Sequence, residues 1–215
     1  MKRIRKIFIV SLCLLTAFVL WTLAICFLDV RAIGPQGSSV GFACINGFVH
    51  TLTGVHFSLY NITDWLGLVP IFVCIGFGIL GLVQWIKRKS VCKVDRDILV
   101  LGVFYIITIA VYLFFEKVVI NYRPVLINGY LETSYPSSTT LLVMCVMPMA
   151  AMQFSNRIYN KAIRNIIVVA IIIFISFMII CRLISGVHWF TDIVGGALFS
   201  TGLVMMYYAL SGLKF

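Results

Sequence analysis

Charged side chains are scarce in this sequence: Asp, Glu, Lys and Arg make up 11% of 215 residues, while 62% are hydrophobic. A soluble domain carries about 25% charged residues, so the chain lacks the polar coat of a water-soluble fold and reads as a membrane protein. Acidic residues are the scarcer kind, seven against 17 Lys and Arg, for a net charge of +10. The seven cysteines have no CxxC spacing and no Cys/His cluster, which argues against a metal or disulfide framework; they read as small residues packed within the membrane. No cofactor or metal is expected. No small-x-small cleavage site follows the first apolar run, no internal repeat occurs, and the length leaves no room for a separate soluble domain.

A spanning helix needs about 20 apolar residues. The first run, about 7–28, follows a basic start and reads as an uncleaved signal anchor. Further runs lie at about 65–86, 98–120, 138–154, 166–184 and 190–210. The expected fold class is all-α: one polytopic domain over 1–215 with six transmembrane helices and an amphipathic outer segment, 29–64, between helices one and two. Trp21, Trp65, Trp85 and Trp189 fall near the expected ends, where interfacial rings are favoured. Asp64 reads as a cap of helix two.

The basic residues are not a nucleic-acid face. Lys2, Arg3, Arg5 and Lys6 precede the first run; Lys87, Arg88, Lys89, Lys93 and Arg96 fill one connection; Arg157, Lys161 and Arg164 fill another; Lys214 is near the end. These lie in alternate gaps, the positive-inside pattern, with contact to anionic lipid as a secondary consequence. The expectation is a multi-pass protein of the cell membrane with both termini cytoplasmic. Arg31, Lys117, Arg123 and Arg182 fall on the other side, and charge at membrane depth points to function.

The outer ends of helices three to six carry Asn121-Tyr122-Arg123-Pro124, Tyr135-Pro136-Ser137-Ser138-Thr139-Thr140 and the run from Cys181 to Asp192. His188 and Asp192 are four apart at a helix start, so they can share a face; a carboxylate beside an imidazole prepares it as nucleophile or base. The plainer reading is a polar pair tying two helices. Arginine's planar fork suits phosphate oxygens, against the alternative that Arg123 and Arg182 snorkel to headgroups. Pro136-Ser137-Ser138 opens a helix whose first N–H groups can bind an anion, or Ser137 simply caps it. Two arginines, an anion-binding helix start, a nucleophile and its orienting acid compose a phosphoryl site built of position and charge.

These residues resemble the signature motifs of the type-2 phosphatidic acid phosphatase (lipid phosphate phosphatase) superfamily. Arg123-Pro124 and Pro136-Ser137 match the first two in part. Arg182, His188 and Asp192 match the third, with Cys181 in place of the usual Ser. The resemblance covers 116–192 and implies an integral membrane enzyme without metal. His188 would attack phosphorus to give a phosphohistidine, Asp192 would support it, and Arg123, Arg182 and Ser137, with Ser138 and Thr139 beside it, would hold the phosphate.

Two departures bear on the chemistry. Glu116 stands where the family has Lys, with Lys117 one position away as a possible phosphate ligand. Thr139 stands where the family keeps the histidine that protonates the leaving group, and a threonine hydroxyl is a poor general acid. His50 and His56, in the outer segment, are candidates to replace it, against the plainer reading of interfacial histidines; Glu132 has no assigned role. The expected partners are the bilayer and a lipid phosphate or, because of Thr139, preferably a polyisoprenyl-diphosphate-like lipid. The alternative is an inactive relative that binds or carries lipid phosphates.

Overall fold

Inside a bilayer every backbone polar group must be satisfied within the chain, and long apolar helices do this. A computed structural model describes residues 2–212, so Lys214 lies outside the described residues. The elements are α1 (Lys2–Phe27), α2 (Ala43–Thr53), α3 (Phe57–Leu66), α4 (Leu68–Arg88), α5 (Arg96–Lys117), α6 (Ser138–Arg157), α7 (Lys161–Ile184) and α8 (Phe190–Ser211). Among the described residues six segments are long and apolar enough to cross a membrane: α1, α3 with α4, α5, α6, α7 and α8.

The all-α, six-span expectation holds, with one informative shift. The second span starts at Phe57, not near 65, because α3 continues into α4 through Gly67. Its polar residues Asn61, Thr63 and Asp64 lower the apparent hydropathy, yet Thr63 is fully buried and α3 packs on α7. Asp64 is therefore inside a helix and not its cap. The rest of 29–64 folds over the same end of the bundle, with an antiparallel bridge between Arg31 and Val40 followed by α2.

Burial is uneven. Half or more of the apolar windows of α6 and α8 is buried, 61% and 50%, against 11% for α1 and 17% for α7. α8 runs against both α1 and α6, and α6 against α7. Small residues permit this close approach in a membrane. Ser11 donates to the Gly202 carbonyl at 2.8 Å and Ser200 to the Leu141 carbonyl at 3.2 Å, while a Cβ at Gly195 would collide with the Tyr135 ring. Of the cysteines only Cys145 is buried; Cys13, Cys26, Cys44 and Cys92 are exposed, and Cys44 and Cys92 lie outside the six spans. Trp189 is also buried rather than interfacial: its indole N–H reaches the Tyr122 carbonyl at 2.7 Å.

The directions of the helices place the end of α5, the start of α6, the end of α7, the start of α8 and all of α3 at one end. There the backbone of 121–134 doubles back through a bridge between Tyr122 and Thr133, which puts Arg123 and Ser134 beside the α7–α8 connection.

Candidate active site

The α7–α8 connection is held from outside by the turn between α2 and α3. His56 N donates to the Ser185 carbonyl at 2.9 Å. Gly186 has φ +64°, and a Cβ there would run into the Gly54 carbonyl, so a side chain would push the turn off the connection.

His188 lies at the centre, 4% exposed. Arg123 Nη1 donates to its Nε2 at 3.1 Å. A guanidinium has no acceptor, so Nε2 carries the lone pair and Nδ1 the hydrogen. That hydrogen is shared by the Ser134 carbonyl, 3.2 Å away, and Ser134 Oγ, 3.1 Å away. Burial, then Arg123, then Arg182 push the imidazole well below its usual value of 6.5. The ring is a neutral base whose Nε2 lone pair faces Arg123.

The expected direct contact with Asp192 is absent: Nδ1 and Oδ2 are 3.9 Å apart, beyond a hydrogen bond. The reason is local. Helix α8 begins at Phe190, so His188 precedes it and the four-residue helical spacing does not apply. Ser134 Oγ fills the gap, donating to Asp192 Oδ2 at 2.5 Å. Trp189 N donates to the same carboxylate at 2.9 Å and Asn121 Nδ2 at 3.4 Å, so the fully buried Asp192 is amply hydrogen-bonded.

Arg182, 1% exposed, is anchored where a free fork was expected. Its Nη1 donates to the Tyr60 carbonyl at 3.3 Å and Thr63 Oγ1 at 3.0 Å; its Nη2 donates to Asp64 Oδ1 at 3.3 Å and Thr139 Oγ1 at 2.6 Å. Nε remains without a hydrogen-bond partner, as does Nε of Arg123, which lies 3.1 Å from Glu132 Oε2 but out of alignment for a hydrogen bond. The Tyr60 ring is shared by the two guanidiniums, 4.7 Å from Arg182 Cζ and 5.6 Å from Arg123 Cζ, a cation–π arrangement.

The other expected residues divide. Ser137 Oγ caps α6, accepting from Thr140 N at 3.5 Å and Thr140 Oγ1 at 3.1 Å. Ser138 lines a cavity of about 20 Å³ together with Arg123, Ser134, Tyr112 and Glu116, room for about one water. Lys117 is exposed and does not line that cavity; Glu116 does, and accepts from Thr133 at 3.3 Å. His56 is exposed, bonded to the Thr53 carbonyl at 3.0 Å. The His50 ring stands 5.5 Å from that of Trp189, and burial lowers its pKa; neither histidine is hydrogen-bonded to the arginines or His188. Ser134, Tyr60 and Thr63 were not singled out in the sequence, and Asn121 stood in a marked run without a role; the position of Ser134, two before Pro136, is the nearest thing to a signal.

Three comparisons bear on this arrangement. The family described as "PAP2 superfamily" matches residues 97–214. A solved structure, that of the first transmembrane PAP2-type phosphatidylglycerolphosphate phosphatase from Bacillus subtilis, superposes with a TM-score of 0.58 over 93% of each chain at 18% identity, a likeness of fold. No curated protein matches the sequence.

Proposed function

Because the chain belongs to the PAP2 superfamily, we propose that it is a lipid phosphate phosphatase or phosphotransferase that works through a phosphohistidine on His188 and favours lipid diphosphates. The observation that carries this reading is the state of His188: buried, neutral, its proton fixed on Nδ1 and its Nε2 lone pair facing a guanidinium at 3.1 Å. A nucleophile of that kind needs no deprotonation before attack.

Substrate phosphate takes the place of Nε2 as the partner of Arg123. The unpartnered Nε–H of each arginine becomes a donor to phosphoryl oxygens, and Thr139, whose oxygen already accepts from Arg182, turns its hydroxyl hydrogen toward the phosphate. Ser138 and the start of α6 complete the cradle, with Ser137 holding that helix start. Positioning and charge of this sort are most of phosphoryl-transfer catalysis. Asp192 supports the cation that forms on His188.

The substrate preference follows from Thr139. A lipid monoester must expel an alkoxide, whose alcohol is about as weak an acid as water, pKa roughly 15.7. A lipid diphosphate expels a phosphate monoester with a second pKa of about 6, and needs no proton. Thirteen basic residues in alternate connections support an orientation with both termini cytoplasmic, the site in the outer leaflet and the whole chain as one domain.

One observation favours the second reading, an inactive lipid-phosphate binder: the fork of Arg182 is already occupied by α3 and Thr139. Release of phosphate by purified protein from a polyisoprenyl diphosphate and from the matching monophosphate separates these readings. A faster rate on the diphosphate is expected. Equal rates remove the preference, and binding without turnover of either supports the carrier.

A further inference from the structure

Three features stand outside the scheme above. His50 stands tilted against Trp189 and makes no hydrogen bond to the site. The apolar groove between α4 and α5 reaches Trp85, Val91 and Val94, at the end away from the site, and nothing in the structure shows what covers it. Ser134 is different, because every atom of it that can make a hydrogen bond does so within the site.

Ser134 is 2% exposed. Its N donates to the Asn121 carbonyl at 3.0 Å, its carbonyl accepts from His188 Nδ1 at 3.2 Å, and its hydroxyl stands between imidazole and carboxylate. A hydroxyl has one hydrogen. Asp192 accepts it at 2.5 Å, so the oxygen presents its lone pairs to Nδ1–H. Imidazole, hydroxyl and carboxylate thus form one directed chain, while His188 and Asp192 themselves are 3.9 Å apart.

We propose that Ser134 is the positioning residue through which Asp192 acts on His188. This rests on the reading of His188 as nucleophile. In the transfer step the Nε2 lone pair forms the N–P bond as the P–O bond to the leaving group breaks, and that electron pair departs on the leaving oxygen. The imidazole becomes cationic and keeps its hydrogen on Nδ1. Ser134 keeps its own hydrogen, and no proton changes hands along the chain. The carboxylate's negative charge reaches the cation through the aligned O–H dipole, and the chain shortens as positive charge grows on the ring. Thr191 and Asn46, bonded to each other at 3.0 Å on the outer side, take no part.

Ser134→Ala isolates this role. It keeps the backbone carbonyl that holds Nδ1–H and the backbone bond to Asn121, and leaves Asp192 with Trp189 N and Asn121. The ring stays oriented and only the link is cut. The test is rapid-quench labelling of the full-length protein by a lipid diphosphate carrying a radioactive terminal phosphoryl group, in wild type, Ser134→Ala, Ser134→Thr, Asp192→Asn, the Ser134→Ala/Asp192→Asn double variant and His188→Ala.

The expected result is that wild type labels and His188→Ala does not; Ser134→Ala slows labelling by about tenfold with little change in half-saturating substrate. Ser134→Thr, which keeps a hydroxyl, recovers the rate. The double variant labels no more slowly than Asp192→Asn alone, because the carboxylate has no second route to the ring. Wild-type labelling that Ser134→Ala leaves unchanged, or single effects that multiply in the double variant, overturns the role of Ser134 alone. A wild type that never labels, while binding the lipid, overturns the nucleophile reading and this role with it.

Discussion

The two ends of the bundle carry charge in opposite ways. At the end where α4, α5 and α6 meet, acid and base are matched: Arg88 stands 2.8 Å from Asp95, and Arg157 2.6 Å from Asp97 and 3.4 Å from Asp95. Amides fill the remaining valences, Gln84 donating to Asp95 at 2.8 Å and Gln153 to Tyr207 at 2.6 Å. At the other end Arg123 and Arg182 are more deeply buried; Glu132 and Asp64 stand 3.1 and 3.3 Å from them, yet each retains an Nε without a hydrogen-bond partner, and Arg123 also faces a neutral imidazole. Burying charge is costly unless it is paired. The ion pairs at the first end leave no guanidinium Nε buried without a partner, whereas at the second end one Nε–H on each arginine is left over.

That contrast is broken most severely at the arginines. Replacing Arg182 by Ala is expected to lower turnover by about 10²–10³-fold, the usual loss for a donor to a developing charge; an unchanged rate would mean that Arg182 only anchors α3. Thr139→His is expected to act in the opposite direction, raising monoester hydrolysis by about tenfold or more while leaving diphosphate hydrolysis near its starting value. A gain on both substrates would show that the missing acid limits more than the leaving group.

The third test is pH. Attack requires an unprotonated Nε2, so the rate falls as pH drops through the pKa of His188. Burial and the two arginines hold that value well below 6.5, and the acid limb of the rate profile should therefore lie well below pH 6.5. Arg123→Gln removes one positive charge and should move the limb upward in the residual activity. A limb at or above pH 6.5 in the wild type would contradict the buried, neutral histidine.

The smallest effect is expected at the matched end. Arg157→Ala should lower stability by about 1 kcal/mol, read as a lower unfolding midpoint in detergent, with turnover per folded molecule unchanged. Loss of turnover in a fully folded Arg157→Ala protein would erase the distinction between the two ends.

The spans were legible because hydropathy is a sum over about 20 residues, and Arg123, Arg182, His188 and Asp192 were legible because they share short motifs. What could not be read is pairing across sequence distance. Tyr60, Thr63 and Asp64 look like polar interruptions before a span until α7 brings Arg182 against them, 118 to 122 residues away. Ser134 looks like a loop serine until the doubling back at Tyr122 and Thr133 sets it between His188 and Asp192. Lys117 lies off the cavity for the opposite reason. One position along a helix turns a side chain by about 100°, enough to exchange it for Glu116 at the cavity.

Phosphorylation of His188 is open to a chemical test. Purified protein is incubated with a lipid diphosphate labelled in its terminal phosphoryl group, denatured, and examined for label that is lost in acid and kept in base. Such label is expected on the wild type and none on His188→Ala. Equal label on both proteins would contradict phosphorylation of His188.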